Sequence, residues 1–179
     1  MYQPSKLSQQ FTDRLPVYSH ANSSRFEAWL VSAHKAFNTD HLLFTHVCGY
    51  TLHIEEMSKV HDLEFLQGLF RIVARMKQLQ LTTEEECILK GMSILSGDRC
   101  SQEKSSFVEQ CQAEMVQCMA YKLRQTHPRR RHMLPRVISL LTDLRTLSEL
   151  HRKQEEKIGM EWSSDIKFPP LLYEIFSNY

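Results

Sequence analysis

The sequence predicts an all-α domain carrying one small β-hairpin. Three observations point there. Glycine and proline are scarce, 5 and 6 among 179 residues, so turns are few and helices long. Apolar residues recur at spacings of three and four along most of the chain, the period of a helix with one buried face. Helix-start signatures, a hydroxyl residue followed three positions later by glutamate, stand at the heads of those runs.

Residues 1–24 are polar and turn-rich and are expected to form a loose leader, with the folded domain covering 25–179. Ser24 is placed to cap a helix from Arg25 to Phe37 whose one face carries Phe26, Trp29, Leu30 and Ala33. Residues 40–56 alternate apolar and polar in part and are broken by Gly49, which suits the small β-hairpin. Asp62 is placed to cap a helix carrying Leu63, Leu66, Phe70, Val73 and Met76. Thr83 and Glu86 have capping-box spacing ahead of Ile88, Leu89, Met92 and Leu95, and that helix should stop near Gly97. Ser106 and Glu109 repeat the device before Val108, Cys111, Met115, Cys118 and Met119. His127-Pro128 should end this helix, because the residue before proline resists the helical conformation. A long helix should open near Leu134-Pro135, carry Val137, Leu140, Leu141, Leu144, Leu147 and His151, and break at Gly159. Pro169-Pro170 should open a last short helix from Leu171 to Phe176.

The length fits one domain with a real core. Hydrophobic residues make up 42% and charged residues 24%, with formal net charge +1, so no overall excess of either sign recruits or repels nucleic acid. The five cysteines are odd in number and contain no Cys-x-x-Cys, against both a disulfide framework and a zinc ribbon. Residues 1–10 lack the apolar stretch of a signal peptide, and no apolar run approaches the roughly 20 residues of a membrane helix. A reduced, intracellular domain without membrane contact is expected.

Catalytic motifs are missing. There is no Gly-x-Gly-x-x-Gly, no Gly-x-Ser-x-Gly and no phosphate-binding loop. His127 and His132 bracket a loop without the cysteine or acid that would complete a zinc site. Glu84, Glu85 and Glu86 sit where a helix dipole favours acids. Neither an enzyme nor a cofactor is expected. The run Arg129-Arg130-Arg131-His132 suits a solvated loop, a nuclear-import patch or a nucleic-acid contact, but no interleaved aromatic supports base stacking.

The C-terminus carries the most information. Leu171, Leu172, Ile175 and Phe176 form one apolar stripe beside Glu174, on a helix too short to be stable alone. Such a segment either packs on the core or docks reversibly in a groove. The run Pro-Pro-Leu-Leu-Tyr-Glu-Ile-Phe resembles the activation helix of nuclear hormone receptors. Residues 81–99, Leu-Thr-Thr-Glu-Glu-Glu-Cys-Ile-Leu-Lys-Gly-Met-Ser-Ile-Leu-Ser-Gly-Asp-Arg, resemble the family's eighth helix and Asp-Arg turn. Residues 140–147, Leu-Leu-Thr-Asp-Leu-Arg-Thr-Leu, resemble its tenth. The order and spacing match, and the resemblance covers roughly residues 25–179. The subgroup most like it is that of the vitamin D, pregnane X and invertebrate xenobiotic-sensing receptors.

The resemblance implies a three-layer helical sandwich, here truncated, that buries a small lipophilic ligand and acts in the nucleus. It makes Glu174, with Leu171, Leu172, Ile175 and Phe176, the coactivator- or corepressor-binding helix. The family's third helix and its Asp-Gln signature have no match in residues 1–24, so one pocket wall and half the co-regulator groove would be missing. His151 falls where related receptors place a ligand-contact histidine. Trp29, Met57, Leu66, Phe70, His151 and Ile158 are the candidate pocket lining, although a lone histidine or methionine on an apolar face also serves as core. Val137, Leu140, Leu141, Leu144 and Arg145 are the candidate dimer surface toward a retinoid X receptor-type partner, with Arg99 a further salt-bridge former. Taken singly, each of these leucines suits an intramolecular core better than a partner surface. Since the paired cysteine modules of a receptor DNA-binding domain are absent, no direct nucleic-acid contact is expected. The alternative to a ligand sensor is a non-sensing dimerisation module that sequesters a receptor partner.

Overall fold

The computed structural model describes the backbone of residues 16–95 and 105–162 and the side chains of 25–95 and 106–158. Six α-helices and a three-stranded sheet occupy these residues. In chain order they are α1 (Pro16–Ala33), a single 3-10 turn (His34–Ala36), β1 (Phe37–Asn38), β2 (Leu43–Thr45), β3 (Thr51–His53), α2 (Ile54–Met57), α3 (Leu63–Leu79), α4 (Thr83–Ile94), α5 (Ser105–Thr126) and α6 (Met133–Trp162). Helix α1 packs on α4, and α4 on α5; α3 packs on α6, which also crosses α1, α4 and α5. Among the described residues this makes a helical sandwich with one small three-stranded sheet.

Helix α3 is the most clearly amphipathic. Phe65, Leu66, Leu69, Phe70, Ile72, Val73, Met76 and Leu79 are all buried, at the three-and-four spacing of one helical face. It ends where Gln80 turns left-handed at φ 53° and donates its N–H to the Lys77 carbonyl. Gly91 lets the Met115 side chain of α5 pack close on α4: a Cβ there would lie 2.7 Å from Met115 Cε. The core joins Leu30 and Val31 of α1 to Leu66 and Val73 of α3, Leu89 of α4, Met119 of α5 and Leu140, Leu144 and Leu147 of α6.

The sheet runs β1-β2-β3, antiparallel throughout, with Phe37 opposite Phe44 and Phe44 opposite Leu52. The expected hairpin is therefore β2 and β3, and Phe37–Asn38 adds a third strand where the first helix was expected to end. Gly49 closes the turn at φ 86°, a left-handed value that costs glycine little, and its N–H bonds to the His46 carbonyl.

Several boundaries differ from the sequence expectations. Residues 16–24 are not leader, because α1 begins at Pro16. Asp62 occupies the N-cap position of α3 but makes no side-chain cap bond. The capping box of α4 is Thr82 with Glu85, one residue earlier than Thr83 with Glu86, and the helix ends at Ile94. Ser106 lies inside α5. Gly159 does not break α6; an interior glycine costs only about 1 kcal/mol, too little to stop a helix already propagating. The proposed last helix, Leu171–Phe176, and Arg99 lie outside the described residues.

The three glutamates heading α4 have separate partners. Glu84 pairs with Lys122 of α5. Glu85, fully buried, accepts from the Thr82 N–H at 2.8 Å and from the Thr126 hydroxyl, and meets His127 Nε2 at 3.3 Å. Glu86 pairs with Lys35 at 2.9 Å and lies 3.7 Å from His34 Nε2. A first turn read as dipole-favouring acids is thus also the joint between α4, α5 and the end of α1.

Candidate functional site: an aromatic cleft

A cleft of about 390 Å³ opens between α1, the sheet, α2, α3 and α6. Its walls are apolar, with five aromatic side chains among the lining. Phe26 and Trp29 come from α1, Phe37 and Phe44 from the sheet, and Phe65 from α3. The helical period of α1 sets Phe26 and Trp29 three residues apart on one face, and their rings lie 5.9 Å apart. The register of β1 and β2 sets Phe37 and Phe44 opposite each other, with ring centroids 4.6 Å apart. Trp29 stays 46% exposed and stands at the mouth.

The polar groups gather at one end. His151 of α6 stacks on Phe26 with centroids 4.1 Å apart and planes at 16°. His61, from the segment between α2 and α3, lies 6.4 Å from it, centroid to centroid. His61 Nδ1 is 3.1 Å from Gln154 Oε1, an oxygen that can only accept, so the ring nitrogen donates and the ring is held in place. Burial, and secondarily the neighbouring His61, push the His151 imidazole down to about 4. His151 is therefore uncharged at neutral pH, and its 3.5 Å approach to Glu155 is a polar contact between a neutral ring and a carboxylate. Glu56 also lines the cleft. An apolar enclosure with a few polar groups at one end is the form of a small-molecule site.

Of the six residues expected to line a pocket, Trp29, Met57, Leu66 and His151 do so. Phe70 does not: its ring packs edge-on against Phe37 at 5.6 Å, inside the core. Ile158 is half-buried on α6, seven residues past His151, and is not part of the lining. Sequence reasoning missed His61. It sits just before the N-cap of α3, outside any periodic run, and only the fold brings it to His151. Among the described residues no three metal-ligating side chains cluster.

The expected dimer residues are corrected in part. Val137, Leu140 and Leu144 are fully buried and Leu141 nearly so, because α6 is covered by other helices along that stripe. They serve the chain's own core. Arg145 is half-buried, and Ile138 and Thr142 are exposed on the opposite side of α6. The five residues of the expected co-regulator helix, Leu171, Leu172, Glu174, Ile175 and Phe176, lie outside the described residues.

Comparison with known proteins gives a consistent result. The family model for the ligand-binding domain of nuclear hormone receptor matches residues 19–160. Vitamin D3 receptors of Saguinus oedipus and Bos taurus are each 30% identical over 162 residues, which is 87% of this chain and 38% of theirs. That of Xenopus laevis is 28% identical over the same length. The chain thus spans less than half the length of these relatives.

Proposed function

Since the chain belongs to the nuclear hormone receptor ligand-binding domain family, a family of receptors and not of enzymes, we propose that its aromatic cleft holds a small lipophilic ligand bearing a hydroxyl group. The observation that carries this reading is the pairing of aromatic walls with two imidazoles at one end. The walls remove apolar surface from water, worth about 25 cal/mol per Å². His151, being uncharged, exchanges a hydrogen bond with a hydroxyl without the cost of burying an ion. In the cell the domain acts in the nucleus as the sensing part of a transcription factor, beside a retinoid X receptor-type partner.

Trp29 at the cleft mouth supplies the test. Addition of a hydroxylated sterol should change tryptophan emission saturably, and His151→Phe should weaken that binding about tenfold while leaving the fold intact. Saturation equal in parent and variant, or no response to any hydroxylated lipophile, would overturn the reading. The output is assigned to the terminal stripe with Glu174 as the acid that caps a co-regulator's leucine-rich helix. Glu174→Ala should reduce capture of such a peptide severalfold with an unchanged melting curve, measured by fluorescence anisotropy. The alternative of a non-sensing dimerisation module ranks second, because most of the stripe it relies on is committed to the core.

A further inference from the structure

A second cavity, of about 380 Å³, lies at the opposite end of α6, where α5 ends and α6 begins. Its floor is apolar, made by Leu123, Met133 and Leu134 with Pro128 and Pro135. Its rim carries the cations Arg124 and Arg130, beside His127 and His132. No acid lines it. Between Glu114 and Asp143 the sequence holds six lysines and arginines and not one carboxylate. Lys122 is neutralised by Glu84. Arg124, Arg129, Arg131 and Arg136 are all exposed, and none has an ion-pair partner among the described residues.

The loop that presents these charges is anchored. Arg130 donates to the carbonyls of Gln78 and Leu79 at 3.3 and 3.0 Å and to the Gln80 side chain, tying the loop to the end of α3. Those partners are neutral, so its charge stands. His127 is tied to Glu85. His132 takes a left-handed conformation at φ 62°, and its carbonyl accepts the Arg136 N–H. A cationic rim fixed in this way loses less freedom on binding than loose lysines would.

We propose that this corner docks an acidic peptide segment of a partner protein, one that carries apolar side chains among its aspartates and glutamates. Charge complementarity selects the acids, and arginine suits carboxylates through its paired donors. The apolar floor selects for hydrophobic side chains between them. A nucleic-acid backbone would use the arginines but leave the floor empty, and among the described residues no phenylalanine, tyrosine or tryptophan lines the cavity for a base to stack on.

The test uses the full chain and short fluorescein-labelled probes in anisotropy titrations. A peptide alternating Asp or Glu with Leu and Phe should bind, and the same peptide with serine at its apolar positions should bind about tenfold more weakly. Arg124→Glu combined with Arg131→Glu should lose about tenfold or more with an unchanged melting temperature, since neither side chain has an ion-pair partner among the described residues. If that pair impairs folding, the glutamine versions make the same test. Equal binding by the serine peptide or by a DNA duplex, unchanged binding by the arginine variants, or no binding by the apolar-acidic peptide would each overturn the proposal.

Discussion

His151 is the residue on which the cleft turns. Stacked on Phe26 and shielded from water, it resists protonation, and its pKa falls from 6.5 to about 4. An unfolded chain has no such resistance. Below about pH 6.5 the unfolded state takes up a proton that the folded state refuses, so folding stability declines as pH falls and levels off near pH 4. The contribution at stake is about 3 kcal/mol, from roughly 1.4 kcal/mol per pKa unit. His151→Phe should lack it: parent and variant melting temperatures, compared from pH 7 to 4, should converge or cross on acidification. Parallel curves would show that the ring titrates normally. Sequence alone suggested His151 but not its state, because that state depends on Phe26 and His61, 125 and 90 residues earlier in the chain.

Elements show the same division between local and distant causes. Helix α3 was legible because its eight apolar residues repeat with the helical period and need no partner to be recognised. The start of α4 was legible only to within a residue. Thr82 and Thr83 are each followed three positions later by a glutamate, so two capping boxes fit the sequence equally. Tertiary contacts decide between them: Thr126 and His127 engage Glu85, while Lys35 engages Glu86. The extension of α1 back to Pro16 was missed because residues 16–24 show no apolar stripe. Burial alone would raise the Glu85 pKa, but hydrogen bonds from Thr126, the Thr82 N–H and His127 outweigh it and hold the carboxyl below its ordinary value. That contribution is present above the ordinary carboxylate range and fades as pH drops through the depressed value. Glu85→Ala would strip three donors of their acceptor at once and should cost about 2–4 kcal/mol in urea melts. A loss under 1 kcal/mol would mean that water replaces the carboxylate.

For the whole molecule, α6 divides its sides between inside and outside. Leu144 is fully enclosed, whereas Ile138, six residues earlier, is 37% exposed. Leu144→Asp should unfold the domain, since it buries a charge without a partner. Ile138→Asp should leave the melting temperature within about 1 °C and reduce co-purification with a retinoid X receptor-type partner. Co-purification undiminished by Ile138→Asp would place the partner on another face. The leucines were visible in the sequence, but which partner they meet is a property of the assembled layers.

The thirty-residue span of α6 also works as a gauge. With no interruption between Met133 at the arginine corner and His151 in the cleft, their separation is fixed at about 27 Å by helical rise. Their angular phase is locked as well. A single inserted or deleted residue between them would swing the imidazole by about 100° around the axis, out of line with Phe26 and His61. Conservative exchanges on the exposed side of this interval leave the spacing intact, whereas a change in residue count does not.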